Sequence, residues 1–234
     1  MRRHNHLYER IISFQNLLCA AQLAQKNKRF KYSTAKFNFS LENELWDLHH
    51  QLATKSYEPG TYHHFQIFEP KKRIISAAPY RDRVVHHAIH NILEPIFDPT
   101  FIYDSYATRK GKGTHVAINR FQSFAKKCRY ALKCDIQQYF PSINHDVLLE
   151  LIEKKVACKD TLWLIRKILD SSQKYGRDGT VLASLHHSIT PSLHQNRYPY
   201  RQFNIPVFCQ YLLERLRPFH ERAIRVSILS ALHG

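Results

Sequence analysis

The sequence predicts a helix-rich α+β fold with an incomplete antiparallel sheet. Three observations predict it. Apolar residues recur at helical spacing over Leu7–Gln25, and again at Leu41, Leu45, Leu48 and Leu52. Two other stretches, Tyr57–Ile75 and Tyr130–Ile136, alternate as strands do. Hydrophobic residues make up 44% of the 234 residues, enough to pack a core and to exclude a wholly disordered chain.

The elements follow in order. Leu7–Gln25 reads as one amphipathic helix, with Leu7, Ile11, Phe14, Leu17, Leu18 and Ala21 inward. Lys26–Lys36 reads as a basic loop with interleaved aromatics, Phe30 and Tyr32. Ser40 is the expected N-cap of the next helix, whose first turn carries Glu42 and Glu44, as the helix dipole favours. Tyr57–Ile75, with Pro59, Gly60 and Pro70, reads as short strands joined by a basic turn. Asp82–Leu93 reads as a helix that Pro95 ends. Thr114 is the expected cap of a helix from His115 to about Lys127. Helices are expected from His145 to Val156 and from Asp160 to Leu169.

The net charge is +16, and its Lys and Arg are spread along the chain. A folded surface this basic attracts a polyanion, and nucleic acid suits it better than a membrane surface. The five cysteines, Cys19, Cys128, Cys134, Cys158 and Cys209, lack metal-ligand spacing. They read as reduced cytoplasmic thiols, mostly small core residues. Neither a signal peptide nor an apolar run of membrane-spanning length is visible, so a cytoplasmic protein without a membrane partner is expected.

The candidate chemistry centres on Asp135. Tyr130, Leu132 and Cys134 fall on one strand face, and Ala131, Lys133 and Asp135 on the other, with Asp135 near the C-terminal edge. A carboxylate there presents well to a metal. Nucleotidyl transfer uses two divalent cations roughly 3.5–4 Å apart, and hard oxygen donors suit Mg²⁺. One aspartate cannot hold both ions. By its chemistry alone Asp135 is therefore either a metal ligand or a cap of the following turn. Three basic clusters precede it: Lys71-Lys72-Arg73, Arg81 and Arg83 flanking Asp82, and Arg109, Lys110 and Lys112 around Gly111. Such turns grip triphosphates or a template backbone, or form a solvated surface.

The stretch from Glu69 to His145 resembles bacterial reverse transcriptases of the group II intron, retron and diversity-generating kind. The matching runs are Arg73-Ile74-Ile75, Pro79-Tyr80-Arg81-Asp82-Arg83-Val84-Val85-His86-His87-Ala88 and Leu93-Glu94-Pro95-Ile96-Phe97. They continue through Asp104-Ser105-Tyr106-Ala107-Thr108-Arg109-Lys110-Gly111-Lys112-Gly113-Thr114-His115 and Cys134-Asp135-Ile136-Gln137-Gln138-Tyr139-Phe140-Pro141-Ser142-Ile143-Asn144-His145. The Lys-Gly-Lys-Gly-Thr-His wording is most similar to the diversity-generating enzymes.

The resemblance implies reverse-transcriptase fingers and a partial palm. Asp135 would be a metal ligand and the catalytic carboxylate, with the Ile136 carbonyl as second donor to Mg²⁺. Phe140 stands where the family has an aromatic gate against a ribose 2′-hydroxyl. Lys72 and Arg73 would lie over the incoming dNTP. Arg81, Arg83, Arg109, Lys110 and Lys112 would support the fingers or track nucleic acid. An RNA template and a DNA primer are the implied partners. The expected division is an N-terminal helical extension over 1–56, fingers over 57–129, a partial palm over 130–175 and an aberrant tail over 176–234.

The family's later Gly-Ile-Pro-x-Gly and Tyr-x-Asp-Asp motifs are absent as written. Composition shifts as well: no Lys follows Lys174 and no Asp follows Asp178. Reading the codons of Arg197–Gln210 one base later permits Gly-Ile-Pro-Ile-Gly-Asn-Leu-Thr-Ser-Gln-Phe-Phe-Ala-Asn. Ala231–Gly234 likewise permits Arg-Tyr-Met-Asp, and a TGA stop would begin a second Asp. A frameshift between about Ser171 and Arg197 is expected. The chain as written then reads as an inactive reverse transcriptase; a non-catalytic RNA-binding module or a gene remnant stands as the alternative.

Overall fold

The computed structural model describes residues 3–68, 73–128, 130 and 143–173, with side chains left out at 73, 74, 172 and 173. Eight α-helices and one two-stranded sheet are described: α1 (Tyr8–Ile12), α2 (Phe14–Ala24), α3 (Tyr32–Phe39), α4 (Leu41–Ala53), β1 (His63–Ile67), β2 (Arg73–Ala77), α5 (Tyr80–Phe97), α6 (Thr114–Ala125), α7 (His145–Glu153) and α8 (Lys159–Gln173). A 3₁₀ turn, Asp98–Thr100, follows α5. The helix-rich α+β architecture is the one the sequence predicts.

Helix α5 is the centre. It lies against α2 through small residues: Ala20, Ala21 and Ala24 on one side and Ala88 on the other are all buried. Small side chains allow the two backbones to approach, and polar groups then cross between them. Asn16 Nδ2 donates to the Ala88 carbonyl at 3.0 Å, and the Tyr80 hydroxyl donates to the Ala21 carbonyl at 3.0 Å. Leu45, Leu48 and Leu52 of α4 close this core beside Leu17, Val84 and Val85. Leu148 and Ile152 of α7 and Leu164 of α8 belong to the same cluster. The N-terminus ties that helix pair down: His4 pairs in parallel with Val156, its N–H reaching the Lys155 carbonyl at 2.7 Å.

Several boundaries differ from expectation. The Leu7–Gln25 helix breaks at Ser13, which adopts an extended conformation and whose hydroxyl accepts from the Asn16 N–H. Helical periodicity continues across such a break, so spacing alone misses it. The basic stretch expected to be a loop over Lys26–Lys36 turns helical at Tyr32, where α3 begins, fixed by burial of Thr34 and Phe37. Pro95 lies inside α5 rather than ending it. Its missing N–H falls in the last turn, and Phe97 is buried, so packing holds the helix two residues further. α5 also begins at Tyr80, and Gly113 rather than Thr114 stands at the start of α6. Asn144 caps α7, its Oδ1 accepting from Asp146 N and Val147 N. Cys158 is buried, but Cys19 and Cys128 are exposed, against the expectation of core thiols. The strand Tyr130–Ile136 lies outside the described residues, except for exposed Tyr130.

The histidines of α5 predict an acid sensitivity. Burial, reinforced by His87 and Arg83, holds His86 down to about 3. Burial, then His90, Lys28 and Arg83, hold His87 down to about 4. Both are neutral in the folded protein, whereas an unfolded histidine takes up its proton near pH 6.5. Their neutral forms suit the fold fully above that pH, and stability falls as pH drops from about 6.5 towards 3. Urea titrations at pH 7.5 and pH 5 are expected to show the midpoint falling, and His86→Leu to flatten that fall.

Candidate nucleic-acid interface

β1 and β2 pair antiparallel, with Phe65 opposite Ile75 and Ile67 opposite Arg73. This is the hairpin expected from the alternation, and it leads directly into α5. Backbone pairing places Arg73 at the start of β2. Its side chain and Lys72 lie outside the described residues, as do Asp135, Ile136 and Phe140. Among the described residues, no three His, Cys, Asp or Glu side chains converge where they could hold a metal.

At the base of the hairpin sits a polar knot that spacing does not reveal. Buried Asp82 accepts from the Tyr57 hydroxyl at 2.8 Å and from the Gly60 N–H at 2.8 Å. Burial raises the Asp82 carboxyl above its ordinary value, opposed by those two donors and by Arg81. The same burial and the neighbouring Asp82 keep the Tyr57 phenol protonated. Gly60 is tightly packed: a Cβ there would meet Pro79 Cγ at 3.0 Å and Asp82 Oδ2 at 3.4 Å, so its neighbours would have to give by a few tenths of an ångström. The chain entering β1 is thus locked onto the first turn of α5.

The two arginines flanking Asp82 part company. Arg81 is half-buried, donating to Gln51 Oε1 at 2.5 Å and lying 5.7 Å over the Tyr57 ring. Arg83 is buried, 5.2 Å over the Tyr80 ring, and its Nε has no hydrogen-bond partner. Lys28 is pushed down to about 8 by burial, then by the charges of Arg83 and Lys31.

The loop after α5 is organised from within by Arg109. Its Nε donates to Asp98 Oδ1 at 2.7 Å, its Nη1 to the Ile102 carbonyl at 3.1 Å, and its Nη2 to the Asp98 carbonyl at 3.2 Å. Gly111 and Gly113 turn the chain with φ of +70° and +131°, and Thr108 also adopts a positive φ. Lys110, inward only as far as Glu94 at 3.4 Å, stays exposed. Lys112 lies 4.2 Å over Tyr103 and 5.0 Å over Tyr106, and its Nζ reaches the Tyr103 carbonyl. Arg120 of α6 joins this group, pairing with Asp104 at 2.9 Å and lying 4.5 Å over Phe124. Of the predicted basic residues here, Arg109 and Lys112 are held by the loop, whereas Lys110 faces outward. Arg109→Ala is expected to cost about 1–3 kcal/mol, because Asp98 and two carbonyls lose donors at a partly exposed site. Thermal melts of the variant check this.

Comparison with known proteins places the chain among intron-related sequences. A 32% identical match over 100 residues is the uncharacterized 91 kDa protein in the cob intron of Schizosaccharomyces pombe, covering 43% of this chain and 12% of that protein. Nuclear intron maturase 1, mitochondrial, of Arabidopsis thaliana is 30% identical over 105 residues, covering 44% of this chain and 15% of its own length. The group II intron-encoded protein LtrA of Lactococcus lactis subsp. cremoris is 28% identical over 99 residues, covering 42% of this chain and 16% of LtrA. Each alignment takes in well under two thirds of the relative. No described helix is long and apolar enough to cross a membrane. The family model of the reverse transcriptase (RNA-dependent DNA polymerase), whose chemistry uses a divalent metal, matches residues 66–206. That is more than half of the chain and takes in the end of β1, β2, α5, the Arg109 loop and Asp135, so this chain belongs to the reverse transcriptase family.

Proposed function

We propose that the chain descends from an RNA-directed DNA polymerase that copies an RNA template from a DNA primer using dNTPs, and that as written it lacks robust activity of its own. The supporting observation is the family match over residues 66–206, which contains the basic Lys71-Lys72-Arg73 run and Asp135 in that order. Asp135 and the Ile136 carbonyl would hold Mg²⁺. When bound, the metal would activate the primer 3′-hydroxyl and neutralise the pyrophosphate. Lys72 and Arg73 would grip the triphosphate, and Phe140 would exclude a ribose 2′-hydroxyl. Lys110, exposed, and Lys112, beside the Tyr103 and Tyr106 rings, would track the template backbone, with Arg81, Arg83 and Arg109 supporting them. On this reading the fingers are 57–129, the partial palm 130–175 and the tail 176–234 is shifted in frame. The free Cys19, Cys128 and Cys158 suit a reducing, cytoplasmic setting.

A second reading, a non-catalytic RNA-binding module, is favoured by the +16 net charge, which persists without any second metal-ligand motif. Primer extension on an RNA template separates the two. Robust extension by the chain as written would overturn the inactive reading. Asp135→Ala is expected to abolish any extension while sparing salt-sensitive RNA binding.

A further inference from the structure

We propose that Arg83 of α5, with Lys28 and Lys31 of the α2–α3 connection, forms a binding site for a small free oxyanion of the phosphate class, which fastens that connection to α5. The proposal rests on packing and charge alone and stands whether or not the chain polymerises.

The sequence of α5 delivers a cation to an apolar place. Val84, Val85 and Ala88 are fully buried, and Arg83 is drawn in beside them, only 9% exposed. Its guanidinium lies 5.2 Å over the Tyr80 ring. Tyr80 is fixed in turn by Phe37, edge-on with ring centroids 5.1 Å apart, and by its hydroxyl bond to the Ala21 carbonyl. A stacked ring steadies the guanidinium but supplies no counter-charge. Among the described residues Arg83 forms no ion pair. Its Nε is sealed from solvent without a hydrogen-bond partner, whereas its Nη groups are not sealed in that way, so the outer edge of the fork is reachable.

The α2–α3 connection brings two more cations to that edge. Lys28 N–H reaches the Gln25 carbonyl at 2.8 Å, Lys31 N–H reaches the Lys28 carbonyl at 3.0 Å, and Asn27 takes a left-handed φ of 61°. These turns leave Lys28 half-buried while Lys26, Arg29 and Lys31 stay exposed. After burial, Arg83 and Lys31 are what hold Lys28 down, so the three charges stand close enough to repel. His86 and His87 of α5 feel the same field. Every charged neighbour that shifts Lys28, His86 or His87 is basic. Asp82, the carboxylate next to Arg83 in sequence, is turned instead to Tyr57 and Gly60.

A buried charge without a partner is costly, and folded proteins usually pair it. An anion with several acceptor oxygens answers all three donors. The guanidinium fork presents parallel N–H groups that phosphate or sulfate accepts together, and Lys28 closes on the ion as a point charge. A carboxylate would offset one charge of the three, whereas a phosphate dianion offsets two. An RNA phosphodiester carries chain on both sides, but Arg83 is approached past half-buried Lys28, which favours a free ion.

The test is thermal melting and isothermal titration calorimetry of the whole chain, with inorganic phosphate titrated against sodium chloride at constant ionic strength. The melting midpoint is expected to climb with the logarithm of phosphate concentration, by about 5–10 °C at a hundredfold excess over the dissociation constant. Calorimetry is expected to count one phosphate per chain. Phosphate also stabilises folded proteins without any site, and variants separate the two effects. Arg83→Met is expected to lose the calorimetric binding. Lys28→Gln, at a half-buried turn position, keeps the proposal testable if Arg83→Met does not fold, and is expected to weaken phosphate roughly tenfold. An equal response to chloride, or undiminished affinity in Lys28→Gln, overturns the proposal. Displacement of bound phosphate by oligo(U) RNA would hand the cluster to nucleic acid and overturn it as well. Asp135→Ala is expected to leave phosphate binding unchanged, so loss of extension in that variant bears on the catalytic proposal and not on this site.

Discussion

On the proposed function, advancing the reading frame by one base between Ser171 and Arg197 is expected to yield a chain that extends a DNA primer on RNA far faster than the chain as written. The expectation rests on Arg197–Gln210, where codons read one base later permit an unbroken Gly-Ile-Pro-Ile-Gly-Asn-Leu-Thr-Ser-Gln-Phe-Phe-Ala-Asn. Only the middle base of each shifted codon is adjustable, which makes a run of that length hard to obtain by chance. A metal site with ligands on one side only forgoes several kcal/mol of transition-state stabilisation, so the gain should be about 10³-fold or more. The nucleotide sequence is the first check: a shifted frame without a Tyr-x-Asp-Asp motif downstream ends the proposal. Primer extension by the frame-restored protein is the second.

The largest effect on stability is expected at Asp82. Asp82→Ala leaves the Tyr57 hydroxyl and the Gly60 N–H without their acceptor in a buried place, and is expected to cost about 2–4 kcal/mol. Tyr57→Phe should cost less, since Asp82 keeps the Gly60 donor. Combining the two should cost less than their sum, because the double variant removes both ends of one bond. Urea unfolding of the four proteins measures this. Strict additivity would mean that the Asp82–Tyr57 contact carries no coupling. Because Asp82 joins the hairpin to α5, its loss should also loosen the strands that carry Arg73.

The architecture is legible in the sequence where one force dominates. α4 shows because Leu45, Leu48 and Leu52 fall on one helical face and all three are fully buried. The β1–β2 hairpin shows because its residues alternate about a basic turn. Periodicity is silent where a single side chain redirects the backbone, as Ser13 does between α1 and α2. It is silent again at α3, whose anchoring takes only Thr34 and Phe37 and leaves the remaining aromatics in solvent. At Pro95, the local rule yields to tertiary packing of Phe97.

The candidate site is legible in part, for a similar reason. Residue type and order suffice to gather the basic clusters, but not to say which cation turns inward. Arg109 and Lys110 are neighbours in sequence, yet one is held by Asp98 and backbone carbonyls while the other points out. Such partners come from the fold of the loop, through Gly111 and Gly113, and leave no spacing signal. Asp82 sits inside a recognisable run, Arg81-Asp82-Arg83, which suggests pairing with its neighbours in sequence. Its partners are instead Tyr57 and Gly60, more than twenty residues earlier.

The most direct test of the central claim pairs two readouts on the frame-restored chain: primer extension on an RNA template, and RNA binding, each with Asp135 intact and with Asp135→Ala. The account predicts extension that requires Asp135, with RNA binding equal in the two proteins. Extension that survives Asp135→Ala, or RNA binding that falls with it, would contradict the assignment of this carboxylate to the metal.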